Sequence, residues 1–317
     1  MPYDSLTSRV DSAALVPEDV SRDMLGRVRT ETSAAMQLFR RVPVVGSQTR
    51  FPILSALPIA YWVTGDTGLK QTTETAWTNK YLNVEELACI VPIPENVVDD
   101  LDAHGVDVWG EIRPDVEEAI GVALDTAIFF GTNAPSSFPD DLLTATNAAG
   151  NTVTEAATAA EGGIQDDIDE LVGLIEDDGF DPTGIVAARS LKGKLRRARD
   201  TTGQKLTNVN ATYTEYDGMQ IAYMMRGSWP TAVSTVRAFV GDFNEFVLGV
   251  RSDIRFKLLE EAVIQDNTGA IVYNLAQQDM VAARFTFRAG WQVSNRINRD
   301  QPTEADRYPA GRLIKPA

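Results

Sequence analysis

The side chains able to do covalent or acid–base chemistry are few, and their spacing closes most routes. His104 is the sole histidine and Cys89 the sole cysteine of the 317 residues. Any Ser-His-Asp, Cys-His or multi-histidine metal scheme must therefore pass through one residue. His104 sits in the turn-forming stretch LDAHGVD, and Cys89 in LACIV, an apolar run that reads as a strand and gives the thiol a bystander's role. Gly65, Gly68 and Lys70 have the residue types of a phosphate-binding loop, but the spacing is wrong and Gln71 follows the lysine. GxSxG, HExxH and GxGxxG patterns are absent from the sequence. Asp166, Asp167, Asp169, Glu170, Glu176, Asp177 and Asp178 lack the Asp-x-Asp-x-Asp-Gly loop that wraps calcium and are expected to form a solvated helix face. A two-carboxylate hydrolase would find carboxylates enough, yet no pair stands out. We assign no catalytic, cofactor-binding or metal-ligating residue.

Composition is that of a folded chain: 44% hydrophobic and 23% charged, with material for a core in two domains. No apolar run is long enough for a membrane helix, and MPYDSLTSRVDSAALVPEDV lacks the basic start and apolar stretch of a signal peptide. The formal net charge of −16 opposes a phosphate-binding surface. An acidic wall beside DNA would, however, repel it and so avoid sticking.

The element that organises the rest is VDVWGEIRPDVEEAIGVALDTAIFFG, Val106 to Gly131. Trp109, Ile112, Val116, Ile120, Leu124 and Ile128 recur at helical spacing, whereas Glu111, Arg113, Asp115, Glu117, Glu118 and Asp125 fall largely on the other side. Asp107 is placed to cap the start and Gly131 to end the helix, and Pro114 predicts a bend where it crowds the carbonyl of Gly110. At 1.5 Å per residue such a helix runs about 35 Å, a spine for a domain.

Upstream, residues 17–41 predict a helix with Val20, Met24, Val28, Met36 and Leu38 on a thin apolar face, an arm that finds cover on a neighbour. Alternation at Ile59, Tyr61 and Val63, and again around Trp77 and Tyr81, predicts two long strands joined by a turn over residues 65–75. An isolated strand pair is marginal in water, so this hairpin is expected to pack on another chain. Residues 87–91 read as a strand and PIPENVVDDLDA as a short helix. Downstream, residues 131–163 read as a loop, and Ile164, Ile168, Leu171 and Ile175 as a helix. GIVAA reads as a buried strand, and SLKGKLRRARD as a basic helix whose charges face solvent or a neighbour's carboxylates. TTGQKLTN, YDGMQIAYMMRG and STVRAFVGDFNEFVLGVRSDIRFKLLEE read as short strands; a helix-like piece with Leu275 and Met280 precedes a strand with Phe285, Phe287 and Trp291.

In this order, the stretches IPENVVDDLDA, ALDTAIFFGT, DGFDPTGIVAARSLKGKLRRARDTTGQKL, YDGMQIAYM, VGDFNEFVLGVRSDIRFKL and MVAARFTFRAGWQV resemble the major capsid proteins of tailed double-stranded DNA bacteriophages that share the HK97 fold. The resemblance spans about residues 15–297. It implies an α+β, HK97-like fold: an N-terminal arm and helix (1–45), an extended β-hairpin loop (46–86), a peripheral domain (87–134 and 249–317) with a spine helix at 107–130, and an axial domain (135–248). It also implies a structural protein, not an enzyme, that self-assembles through pentamers and hexamers into an icosahedral shell around double-stranded DNA, without specific DNA binding and without a membrane. Portal, decoration and separate scaffolding proteins are the partners such members have, and the virion, assembled in the host bacterial cytoplasm, is their place. An encapsulin shell is the alternative on the same fold; an acidic hydrolase or ligand-binding domain is a more distant one. The resemblance places intersubunit contacts at Trp62, Lys70, Trp77 and Lys80, with the hairpin projecting and burying Trp62 or Trp77 only against a neighbour. Some members crosslink a loop lysine to a neighbour's asparagine, which implies Lys70 or Lys80 with Asn295; solvated lysines are the plainer reading. The spine's apolar stripe is expected to pack on a sheet formed partly by residues 87–91 and 285–293.

Overall fold

The structure, a computed structural model, describes residues 33–63, 68–104, 107–156, 158, 163–199, 202, 213–225, 227–230 and 235–316. Most of the helix expected at 17–41, and all of TTGQKLTN except Thr202, lie outside the described residues. From the start come helix α1 (Ala34–Leu38), strands β1 (Arg40–Pro43), β2 (Gln48–Ala56), β3 (Ala76–Asn83) and β4 (Glu85–Pro94), then helices α2 (Glu95–Ala103), α3 (Val108–Phe130) and α4 (Leu142–Ala148). Strand β5 (Thr152–Thr154), helix α5 (Ile164–Asp177), strand β6 (Gly184–Ala187), helix α6 (Arg189–Arg197) and strands β7 (Glu215–Tyr216), β8 (Met219–Tyr223) and β9 (Val236–Gly241) follow. Strands β10 (Phe246–Leu259), β11 (Val263–Gln265), β12 (Ile271–Asn274), β13 (Met280–Val293) and β14 (Ala310–Ile314) close the chain. The described chain divides into two compact units: residues 86–121 and 252–289 in the first, 33–85, 122–251 and 290–316 in the second.

The spine is α3. Its start is capped by Asp107, whose Oδ1 accepts the Trp109 N–H at 3.1 Å. Gly131 ends it with φ at +65°, a conformation that glycine adopts without a Cβ penalty. Pro114 lies in the second turn, and the helix continues through it. Val116, Ile120, Leu124 and Ile128 are all buried, as the stripe predicts. In the first unit Val108, Trp109 and Ile112 pack with Ile93, Val97 and Leu101 of β4 and α2.

Asp125 departs from the predicted polar side. Ala127, Ile128, Phe129 and Phe130 are all buried, so the last turns of α3 have no solvent face, and Asp125 is 1% exposed. Its carboxylate accepts from the Ser33 hydroxyl at 2.5 Å, the Ala34 N–H at 2.8 Å and the Ala35 N–H at 3.1 Å. These are donors at the start of α1 that the helix itself leaves unpaired. Burial pushes the carboxyl up to about 6 against the pull of those three hydrogen bonds.

The helix expected to reach Arg41 stops at Leu38, because Arg40–Pro43 pair in parallel with β10, from Arg40 opposite Val247 to Pro43 opposite Val250. Phe39, between the two elements, meets Phe246, Phe243, Phe129 and Trp291 at ring-centroid distances of 5.0, 5.7, 5.9 and 6.5 Å. Such ring pairs contribute about 0.5–1.5 kcal/mol each beyond their buried area. The strand order of this sheet is β1-β10-β13-β4. Glycines in two of its strands mark a close approach within the second unit. A Cβ at Gly249 would press on Leu82 and Val44 at 2.7 and 2.8 Å, and one at Gly290 would collide with the Asn83 carbonyl oxygen.

The second sheet runs β5-β14-β9-β6-β8-β7. Ile164, Ile168, Leu171 and Ile175 of α5, with Leu191 and Leu195 of α6, bury its core beside Ile185, Ala238 and Val240. Four sequence expectations change here and nearby. The stretch read as a loop contains α4, capped by Asp141 accepting from the Thr144 N–H, and the short strand β5. Two of the acids read as solvated are buried: Asp167 accepts the Ala156 N–H, and Asp178 takes the Asn151 amide and the Tyr308 N–H. The helix-like piece at 275–280 is one 3₁₀ turn, Leu275–Gln277, after which Met280 opens β13, both residues being buried beside Tyr273. Strand β14, grouped by sequence with residues 249–317, pairs between β9 and β5 and so joins the sheet built from residues 152–241.

Truncating a packed aliphatic residue to alanine costs about 2–5 kcal/mol. Leu124→Ala and Ile120→Ala should thus yield destabilised or insoluble protein while Glu117→Ala folds, as read by expression, circular dichroism and sizing; soluble native-like stripe variants would refute this. Asp125 gives a pH test. Its folded pKa exceeds the unfolded one, so its contribution favours the fold below the ordinary aspartate range and is lost as pH rises through about 6. Asp125→Asn should flatten that part of the stability–pH curve, and cost about 1–3 kcal/mol by setting an amide NH₂ against backbone donors. Denaturant midpoints across pH read both effects.

Candidate functional site

Among the described residues no group of three or more His, Cys, Asp or Glu is placed to hold a metal, and no helix is long and apolar enough to cross a membrane. Cys89 is half-buried in β4, and burial raises its thiol, as suits an inert side chain. His104 is exposed at the end of α2.

The feature that does stand out is apolar surface left in water on the β2–β3 hairpin. Its ladder runs antiparallel from Gln48 opposite Asn83 to Ala56 opposite Ala76. The first strand lies upstream of its predicted place: Ile59, Tyr61 and Val63 alternate in sequence but follow Pro58, which has no N–H to donate, and carry no ladder. Beyond Ala56 the legs are tied by the Tyr61 hydroxyl, which donates to the Gln71 carbonyl at 2.8 Å. Trp62 is 99% exposed and Trp77 66%, with Ile59 and Leu69 also open to solvent. Scattered apolar residues on a surface need no explanation, but several on one two-stranded projection do.

The four predicted contact residues fare differently within one chain. Trp62, Lys70 and Trp77 are exposed. Lys80 is not a free solvated lysine: its Nζ lies 2.9 Å from Glu304 Oε1 and lowers that carboxyl below its ordinary range. Asn295 is buried with φ at +45°, and its Nδ2 donates to the Arg307 carbonyl at 3.2 Å. An internally bonded amide is thus what stands at the position implied for a crosslink.

Sequence reading missed the residues around Glu304, since nothing local in NRDQPTEADRYP marks a partner far back in the chain. The basic helix α6 finds partners inside its own chain. Lys194 lies 3.4 Å from the buried Glu155, which also pairs with Arg237, while Lys192 and Arg196 sit over the rings of Tyr223 and Tyr213.

Residues 12–296 match the phage capsid family. The chain belongs to that family. It is 24% identical over 269 residues to the major capsid protein of Staphylococcus phage 80alpha, covering 84% of this chain and 78% of that one. Among solved structures it is similar to a chain of Microbacterium phage Oxtober96, 34% identical with a TM-score of 0.80, covering 98% of this chain and 100% of that one. A chain of Mycobacterium phage Bobi is 29% identical with a TM-score of 0.80, at 99% and 100% coverage. The fold extends to the capsid of an empty GTA particle computed with C5 symmetry, at 18% identity and a TM-score of 0.65, covering 98% of both chains. The α+β, HK97-like fold and the role of a major capsid protein follow: a structural protein of the virion shell, made to oligomerise, and not an enzyme. The encapsulin reading is not favoured beside these phage relatives.

Because Trp62 and Trp77 touch little within their own subunit, Trp62→Ala and Trp77→Ala should shift subunit stability by no more than about 0.5 kcal/mol. Trp62→Phe should remove the most readily quenched part of the tryptophan emission of unassembled subunit. Acrylamide quenching and urea titration check both; a loss of several kcal/mol would show that these indoles serve the subunit's own core.

Proposed function

We propose that the subunit closes through pentamers and hexamers into an icosahedral shell that encloses double-stranded DNA, and that the β2–β3 hairpin is its contact arm. The carrying observation is Trp62, a whole indole in water on the hairpin segment beyond the β2–β3 ladder, with Trp77 also largely exposed near the end of that ladder. Interfaces concentrate binding energy in a few buried aromatic residues, and Trp62 and Trp77 have the chemistry and exposure for that role against a neighbouring copy. Lys70 stands exposed near them as a further contact. In this reading the first unit, with the start of α3, serves as the peripheral domain and the six-stranded sheet as the core of the axial domain. DNA is held by enclosure: a chain of formal charge −16 repels the polyanion on average. Portal, scaffolding and decoration proteins act as further partners, with assembly in the host bacterial cytoplasm.

Light scattering and negative-stain microscopy of purified protein test this. Closed shells or capsomers are expected, and a strictly monomeric mass across concentration and salt would sink it. Trp62→Ala and Trp77→Ala should raise the concentration needed for assembly by roughly 10-fold or more, the order of a lost hot-spot contact, while subunits stay folded. Normal assembly of the double variant would remove the hairpin from the interface.

A further inference from the structure

The polar loop 294–309, between β13 and β14, is tied on several sides within the second unit. The Arg307 guanidinium donates to the carbonyls of Pro302 at 2.7 Å and Asn295 at 3.2 Å, while the Asn295 amide returns to the Arg307 carbonyl. The loop is thus closed on itself by buried polar groups, as compact Ω-type loops are. One side is fixed to the end of α5. Asn298 Nδ2 donates to the Asp178 carbonyl at 2.7 Å, and the Tyr308 N–H to Asp178 Oδ2 at 3.0 Å. The other side reaches both legs of the hairpin. Arg299 Nη2 donates to the Pro58 carbonyl at 2.9 Å just beyond β2, and Glu304 holds Lys80 of β3 at 2.9 Å.

We infer that this loop is a brace fixing the angle at which the β2–β3 hairpin leaves the subunit, with Lys80–Glu304 as the positioning pair and Arg299–Pro58 as the second tie. The root of the hairpin is seated by Leu82 on Val44 and Val247, and Gln292 Nε2 donates to the Tyr81 carbonyl at 2.8 Å. Beyond that root a two-stranded ribbon with both edges open bends and twists readily, and ties on both legs limit that freedom. Exposed ion pairs add little to folding, about a 1.4- to 5-fold factor in an equilibrium constant. A pair retained at the root of a lever acts on direction more than on stability. Because the loop is anchored to α5, the hairpin's direction is set relative to the six-stranded sheet, so that neighbouring copies meet at one angle. This last step rests on the hairpin being the contact arm.

The test is charge reversal with rescue in the full chain: Lys80→Glu, Glu304→Lys and the double swap. Spin labels at Thr78→Cys on β3 and Glu176→Cys on α5, with Cys89→Ser to leave no other thiol, report the hairpin's direction within one subunit. Thermal unfolding and electron microscopy report folding and assembly. Each single reversal is expected to broaden the label-to-label distance distribution about twofold and to increase misshapen or open particles, with nearly native melting. The double swap should restore both, which a loss of fold would not allow. Unchanged distances in both single reversals, or a natively melting double swap that stays broad, would overturn the brace. Normal shells from subunits with broadened distances would overturn its link to assembly and the contact-arm reading with it.

Discussion

A charge held out of water anchors the second unit. Asp125 projects from the last turns of α3 into a site with no solvent, where an unpaired carboxylate would cost several kcal/mol. Three donors from Ser33, Ala34 and Ala35 offset that cost only if the chain entering α1 is held in one place. Fixing α1 in turn places Phe39 among the rings of Phe129, Phe243, Phe246 and Trp291, and sets Arg40–Pro43 in register along β10. A polar contact thus chooses the arrangement, and aromatic burial supplies most of its stability.

The hairpin follows the opposite logic. Inside the unit, α5 covers its sheet with four isoleucine and leucine side chains that see almost no water, whereas the hairpin presents Trp77 and Tyr81 of β3, and Ile59, Trp62 and Leu69 between its strands, to solvent. A subunit that must stay soluble and then join its neighbours cannot spend all of its apolar surface on its own core. Leu82 seats the root of the hairpin on Val44 and Val247, and polar ties from the loop 294–309 reach its two legs farther out. The same arrangement explains why aromatic side chains at Trp62 and Trp77 are compatible with a stable fold.

Much of this was legible in the chain, for reasons that differ from element to element. The stripes of α3 and α5 follow from helical spacing alone, because each helix buries one face over most of its length. Asp125, Asp167 and Asp178 were not legible as buried, since their cover comes from segments distant in sequence. The end of α1 was misplaced for a related reason: parallel pairing with β10 overrides any local preference at Arg40 and Arg41. Hairpin residues with thin cover could be read from their setting as uncovered within one chain, which is how Trp62 and Trp77 stand. The partner of Lys80 could not, because one lysine and one glutamate far apart leave no periodic trace.

Strand β14 has a consequence for timing. It lies between β9 and β5, and among the described residues β5 pairs with β14 alone, so the sheet stays incomplete until residue 314 has been synthesised and has cleared the ribosome. At about 5–20 residues per second, the edge of β9 waits roughly 4 to 15 s after its own synthesis for the strand that covers it. A nascent subunit therefore carries an unfinished six-stranded sheet until nearly all of the described chain is free. The order of strands along the chain thus separates in time the making of β5 and β9 from their joining through β14.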